Sequence, residues 1–252
     1  MVLSRMPIVG VVGTTGEATV EVSRLADEAG RAVVAQGCAL LTGGKPFRTA
    51  ADPLRKPVKD AALDGAAAAG SGGVRARLIA VLPDQPRADA MLTQFNANTF
   101  ALIMWTRLTR HQRNYFTGRL PDAVIALKGG AGTLSEIGLA HQAGRPVVFL
   151  DSLDDLQEVF RTQKEAVHAI LKEVEAVFRG PNPVEVLDSL GGLLAGNKTA
   201  ARARNPVEAV EAVRALIPED RPGGTPTEVF SPVEELTVSG AFFAKQLQDL
   251  FR

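Results

Sequence analysis

The chain has 252 residues, of which 46% are hydrophobic, so it is long enough to bury one large α/β core. Lys plus Arg equal Asp plus Glu at 28 each, and this balance excludes a global electrostatic field that would attract nucleic acid or an anionic membrane. The single cysteine, Cys38, excludes an intramolecular disulfide, and three scattered histidines leave no zinc-ligand spacing, so we expect no metal site and a reducing compartment.

Apolar runs typical of buried strands alternate with helical patterns along the first 150 residues. The strands are predicted at 8–12, 39–42, 78–82, 101–105, 123–127 and 146–150. The helices are predicted at 19–36, 58–69, 107–120 and after 133. This alternation predicts an α/β fold with a doubly wound, mostly parallel sheet of six or seven strands, in which ligands bind at the carboxyl ends of the strands.

Beyond residue 151, a long amphipathic stretch to Phe178 predicts a helix, and residues 198–202 are a candidate seventh strand. Asn205-Pro206 then offers an N-cap and a first-position proline for a further helix. We predict a domain over 1–216, followed over 217–252 by a Pro- and Gly-rich linker and an amphipathic helix. That terminal helix would cover either its own core or a second subunit, and we expect a homo-oligomer, a dimer or larger.

The segment 129–136, Gly-Gly-Ala-Gly-Thr-Leu-Ser-Glu, is the most informative part of the chain, because it joins a buried strand to a helix through a glycine turn. Free backbone N–H groups and the positive end of the helix dipole would meet a phosphate there. Glycine lets the main chain approach a ligand closely. The predicted phosphate contacts are Gly129, Gly130, Gly132 and Thr133.

A second interpretation of this segment needs no ligand. Thr133 as N-cap with Glu136 three residues later would form a capping box, and the two interpretations are compatible. With Glu136 in the first helical turn, we expect the dipole to keep its carboxylate ionised.

Two other glycine loops follow predicted strands. Residues 13–16, Gly-Thr-Thr-Gly, follow the first strand, and Gly43-Gly44 follows the second. Such turns often serve packing alone, but three of them at one edge of a sheet form a convergent set. The candidate ligand contacts in these loops are Gly13, Thr14, Thr15, Gly43 and Gly44.

Two common nucleotide sites are excluded by these same loops. The first loop lacks the G-x-G-x-x-G spacing, and glycine stands at the end of the second strand where a ribose-binding acid is expected, which argues against NAD. Lys45 is followed by Pro46 and Phe47 instead of a hydroxyl residue and a helix, which argues against a P-loop.

Arginines recur at 107, 110 and 113 in the predicted helix over 107–120, with Asn114 beside the last. Arg107 and Arg110 are expected to be solvated. Arg113 lies in the helix that precedes the strand feeding the 129–136 loop, so its guanidinium is expected to reach a bound phosphate or sugar.

Four of these features together resemble the SLOG superfamily of Rossmann-like proteins over about residues 8–150. This superfamily includes the LONELY GUY phosphoribohydrolases, formerly called lysine decarboxylase-like, and the molybdenum cofactor carrier proteins. The resemblance lies in Arg113-Asn114, Asp122-Ala-Val-Ile-Ala-Leu, the 129–136 segment and Arg145-Pro-Val-Val.

In the phosphoribohydrolases, a helix arginine and the glutamate that closes the glycine motif hydrolyse a nucleoside 5′-monophosphate to free base and ribose 5-phosphate. The resemblance therefore implies that Arg113 and Glu136 are catalytic, with Glu136 stabilising an oxocarbenium-like ribose. No cofactor is required for this reaction.

The alternative is a non-catalytic carrier or sensor that binds a molybdopterin-type cofactor or a nucleotide, because Arg113-Asn114 is closer to the cofactor-carrier branch. Asn114 would then be a ligand contact. Both hypotheses give the protein a phosphorylated small-molecule partner. The lack of an N-terminal apolar segment or a long apolar run leads us to expect a cytoplasmic protein without membrane or nucleic-acid partners.

Overall fold

The computed structural model describes residues 6–44, 52–70, 76–83, 99–196 and 200–217 of the chain. The linker and terminal helix predicted over 217–252 lie outside the described residues, apart from residue 217. The described elements, in chain order, are β1 (Ile8–Val12), α1 (Val20–Ala35), β2 (Ala39–Thr42), α2 (Val58–Gly70), β3 (Ala76–Leu82), β4 (Thr99–Trp105), α3 (Asn114–Arg119), β5 (Ala123–Ala126), α4 (Ala131–Gln142), β6 (Val147–Leu150), α5 (Leu153–Glu175), α6 (Pro183–Leu194), β7 (Ala200–Ala203) and α7 (Pro206–Leu216).

The strands form one sheet in the order β4-β3-β2-β1-β5-β6-β7, and every described pairing is parallel. The chain moves outward in one direction from β1 to β4 and in the other from β5 to β7. The switch point, where ligands bind in doubly wound sheets, is therefore between β1 and β5. This architecture confirms the predicted Rossmann-like α/β fold.

Asp122 sets the register at this switch point. Its carboxylate accepts a hydrogen bond from the Ile8 N–H at 2.9 Å, and its own N–H donates to the Ile8 carbonyl at 2.7 Å. Val9 then pairs with Ala123. The acid of the Asp122-Ala-Val-Ile motif therefore joins two strands at their amino ends, on the opposite edge from the glycine loops.

Hydrophobic side chains pack on both faces of the sheet. Val9 and Val11 of β1 belong to the cluster that includes residues of α1, α2 and α7, whereas Val12 belongs to the cluster with α4, α5 and α6. Neighbouring residues of a strand point to opposite faces, so these are two separate layers of core. No described helix has both the length and the apolar character needed to cross a membrane.

Two elements differ from the prediction. The helix predicted over 107–120 is present only as α3, and the residues before it form turns in which Thr109 and Gln112 exchange side-chain to backbone hydrogen bonds of 3.1 and 3.2 Å, as in a capping box. Arg107 also takes a left-handed conformation, with φ of 55°. In addition, α6 occupies a segment for which the sequence analysis assigned no element, with Asn182 as N-cap.

Candidate functional site

The loop after β5 leads into α4 one turn earlier than the capping-box interpretation requires. The helix begins at Ala131 with Gly130 as N-cap, and no side chain caps it. The predicted capping box is therefore wrong: Thr133 is the third helical residue, and Glu136 lies in the second turn. The N–H groups of the first turn have no acceptor among the described residues, so this helix start is open to an anion.

The Thr133 side chain folds back over Gly129, so that a Cβ at position 129 would collide with the threonine hydroxyl group. Thr133 is only 4% exposed, and its hydroxyl makes no hydrogen bond within the described residues. Gly130 is exposed, and Gly132 is partly exposed. The two glycines therefore form an accessible backbone surface beside a largely buried hydroxyl.

Glu136 is 6% exposed and accepts a hydrogen bond of 2.5 Å from the Thr117 hydroxyl of α3 through its Oε1. Burial raises the pKa of this carboxyl, and the positive charges of Arg113 and Arg110 and the Thr117 hydrogen bond oppose the increase. Glu136 lies beyond the first turn, where the dipole was expected to act, and burial opposes its ionisation.

Arg113 precedes α3 and is 4% exposed. Its Nη1 donates to the carbonyl oxygens of Gly43 and Val81, the second at 2.8 Å, at the carboxyl ends of β2 and β3. Burial lowers the pKa of Arg113, while Glu136 opposes this effect. The charges of Arg113 and Glu136 therefore interact, but the described hydrogen bonds of the guanidinium mostly join strand ends.

Gly43 is required for this position of the arginine. A Cβ at residue 43 would collide with the guanidinium nitrogens of Arg113, and its carbon would lie 2.8 Å from the same Cβ. Gly44 follows with φ of 73°, a conformation that favours glycine, and its N–H donates to the Thr42 hydroxyl at 3.2 Å. Both glycines therefore shape the loop after β2.

The loop after β1 connects the other parts of the site. The Thr14 N–H donates to the Lys128 carbonyl at 2.8 Å, and the Thr14 carbonyl accepts from the Val58 N–H at 3.1 Å. Gly13 allows this close approach, because a Cβ there would lie 2.6 Å from Val58 Cγ2. The main chain of Thr14 thus joins the glycine loop before α4 to the first residue of α2.

Arg110 is exposed, and its Nη2 donates to the hydroxyl of Thr15 in the β1 loop. Arg110 is therefore exposed, as expected, and also contacts the β1 loop. Because residues 107–113 are not helical, Arg110 points toward β1 while Arg113 points toward β2 and β3. The side chain that the sequence analysis set aside reaches the site.

Lys59, in the first turn of α2, is a residue that the sequence analysis missed. Its side chain is 13% exposed and pairs with Asp60 at 2.7 Å. Burial lowers the pKa of Lys59, and the charges of Arg113 and Arg110 lower it further, against the opposing effect of Asp60. The sequence signal that could have indicated Lys59 is its position at the start of the helix that follows β2. Lys59, Arg110 and Arg113 are called the cation group below.

Asn114 holds α3 against the glycine loop. Its Nδ2 donates to the Ser135 hydroxyl at 2.8 Å and to the Gly132 carbonyl at 3.3 Å, and Ser135 donates to that carbonyl at 2.8 Å. Asn114 therefore positions the start of α4 through its amide nitrogen. No three His, Cys, Asp or Glu residues within the described ranges converge as a metal site.

Residues 6–178 match the model of the SLOG cluster4 family. The chain belongs to that family. An uncharacterized protein of Archaeoglobus fulgidus is 29% identical over 162 residues, which are 64% of this chain and 91% of that protein. The predicted membership of the SLOG superfamily is confirmed.

Two solved structures share the fold. The molybdenum cofactor binding protein of the phototrophic bacterium Rippkaea orientalis is 23% identical with a TM-score of 0.56, and the comparison covers 85% of this chain and 99% of that one. The molybdenum cofactor carrier protein of Chlamydomonas reinhardtii is 22% identical with a TM-score of 0.55, covering 84% and 98%. Identities this low establish a common fold.

Proposed function

We propose that this protein is a non-catalytic carrier that binds a phosphorylated pterin cofactor of the molybdopterin type at the switch point of its sheet. The open start of α4 is the observation that supports the proposal most strongly. The N–H groups of its first turn have no acceptor among the described residues, and the Thr133 hydroxyl makes no hydrogen bond there; such donors suit a phosphomonoester. The molybdenum cofactor binding protein and the molybdenum cofactor carrier protein that share this fold add support for the pterin part of the ligand.

The positions of Arg113 and Glu136 favour a carrier over a hydrolase. Arg113 Nη1 donates its hydrogen bonds to backbone carbonyls. Burial raises the pKa of Glu136 and so opposes its ionisation. A carboxylate that stabilises an oxocarbenium-like ribose must be ionised. The pair therefore suits a structural role at the base of a binding site.

The phosphoribohydrolase is the second candidate, and one observation favours it. Glu136 Oε2 has no hydrogen-bond partner among the described residues, and the buried carboxyl group interacts electrostatically with Arg113 and Arg110. A neutral carboxyl in that position is a possible proton donor to a leaving base.

Two measurements separate the candidates. Protein purified from a host that makes the cofactor should release a fluorescent pterin after denaturation and oxidation, and the amount should fall in the Gly130→Asp variant but not in Gly130→Ala. The same wild-type protein, incubated with a panel of nucleoside monophosphates, should release no ribose 5-phosphate. Release that is abolished by Glu136→Gln in a folded protein would overturn the carrier proposal in favour of the hydrolase.

A further inference from the structure

The cation group brings three positively charged side chains close enough to interact electrostatically. All three pairs within the group repel each other, since Arg110 and Arg113 lower the pKa of Lys59, and Arg110 lowers that of Arg113. The acids that oppose this charge are Asp60, which pairs with Lys59, and Glu136, which burial biases toward its neutral form. Repulsion of this kind within a largely buried group is typical of a site that binds an anion.

Lys59 and Arg110 also lie apart from the open start of α4. Lys59 belongs to the first turn of α2, and Arg110 contacts the β1 loop at Thr15. The Thr14 main chain lies between the start of α2 and the loop before α4, and it is hydrogen-bonded to both, at 3.1 and 2.8 Å. Two anion-attracting surfaces therefore flank one residue of the β1 loop.

We infer that Lys59 and Arg110 form a second anion subsite beside the phosphate site at the start of α4, so that the ligand carries a second anionic group in addition to its phosphate. This inference rests on the proposed phosphate site. Arg110 now donates to a neutral hydroxyl, and an anionic acceptor would make a stronger, charge-assisted hydrogen bond. An anion beside Lys59 would likewise offset the burial that lowers its pKa.

Inorganic phosphate, pyrophosphate and tripolyphosphate test the second subsite, because they add anionic groups to one phosphate without any other chemistry. At constant ionic strength, calorimetric titration should give wild-type protein an affinity for tripolyphosphate at least about tenfold higher than for phosphate, a difference of ~1.4 kcal/mol. Lys59→Met should remove most of that difference and change phosphate affinity by less than about threefold.

Lys56→Met is the matched control. Lys56 also pairs with an aspartate, Asp64, at 2.8 Å, but it lies outside the cation group. This variant should keep the wild-type preference for tripolyphosphate, which excludes a general effect of net charge. Arg110→Gln, a change at an exposed residue that should leave folding intact, should reproduce the effect of Lys59→Met.

The possible failures are distinguishable. A wild-type protein that binds none of the three anions would overturn the proposed phosphate site itself. Phosphate binding with equal affinity for all three anions, or a preference that survives both Lys59→Met and Arg110→Gln, would overturn only the second subsite.

Discussion

Replacing Gly130 by aspartate would place a carboxylate at the proposed phosphate site without disturbing the fold. Gly130 has φ of −104° and ψ of −158°, an extended conformation open to any residue. A Cβ there would have Gln163 Oε1, at 3.9 Å, as its one neighbour within 4 Å. Aspartate is a preferred N-cap and favours the positive end of the dipole, so we expect the variant to gain about 0.5–1 kcal/mol of stability.

The same substitution should abolish phosphate binding. The new carboxylate would accept the N–H groups that the phosphate needs and would repel the ligand. Two unit charges at about 4 Å in an effective dielectric of about 20 interact by ~4 kcal/mol. Each ~1.4 kcal/mol is a factor of ten in affinity, so a loss of at least about 100-fold is expected even if solvent halves the repulsion.

Alanine and asparagine at the same position separate the contributions. Gly130→Ala adds a Cβ without a cap or a charge and should bind phosphate within about threefold of wild type. Gly130→Asn caps the helix without adding a charge, so its phosphate affinity should lie between those of the alanine and aspartate variants. Calorimetric titration with phosphate and unfolding in denaturant measure the two quantities. A folded aspartate variant that binds phosphate as tightly as the alanine variant would refute a phosphate site at the start of α4.

Three further predictions concern the residues around this site. Glu136→Gln should be more stable than wild type at neutral pH. Because the pKa of Glu136 is raised in the folded state, the folded protein binds this proton more tightly than the unfolded chain. The free energy of unfolding of the wild type therefore falls as the pH rises from about 4.5 through the higher folded pKa. The advantage of the Gln variant should therefore grow with pH in denaturant titrations, and a difference independent of pH would contradict it. Arg113→Met should destabilise the fold by about 1–3 kcal/mol, because the Gly43 and Val81 carbonyls lose their donor. Arg113→Lys keeps the charge but not the paired contacts, and wild-type stability in this variant would contradict the structural role. Asp122→Ala should lower the free energy of unfolding by about 1–3 kcal/mol through the lost Ile8 hydrogen bond and should leave phosphate affinity unchanged. Weaker phosphate binding in the folded variant would contradict the separation of Asp122, at the amino ends of the strands, from the phosphate site at their carboxyl ends.

The parts of the fold that were predictable are those marked by short stretches of sequence. Apolar runs located six strands within a few residues, and the candidate seventh strand at 198–202 is observed at Ala200–Ala203. Asn205-Pro206 predicted the start of α7, where the Asn205 side chain accepts from the Glu208 N–H. The terminal segment over 218–252, the oligomeric state and the cytoplasmic location stay predictions.

The site was less predictable because its partners are distant in sequence. Arg113 binds carbonyls that are 70 and 32 residues away, and no periodicity reports such contacts. Thr133 is the better cap by residue preference, yet the helix starts from the extended backbone of Gly130. Lys59 belongs to no motif, and its importance follows only from the burial of its ammonium group beside two arginines.

The residues that the chain shares with the SLOG superfamily and those proposed to select its ligand are largely different. Arg113, Asn114 and Glu136 make their described contacts within the protein, where they join strand ends and hold α3 against α4. Arg110 and Lys59 lie outside the shared motifs and supply the charge that an anion would meet. Because a bound phosphate and an ionised Glu136 would repel each other, phosphate binding should disfavour the ionised form of Glu136, and by linkage ionisation of Glu136 should weaken phosphate binding. A carboxyl group whose ionisation is opposed by burial and by the ligand is better suited to retaining a phosphomonoester than to stabilising a positively charged ribose.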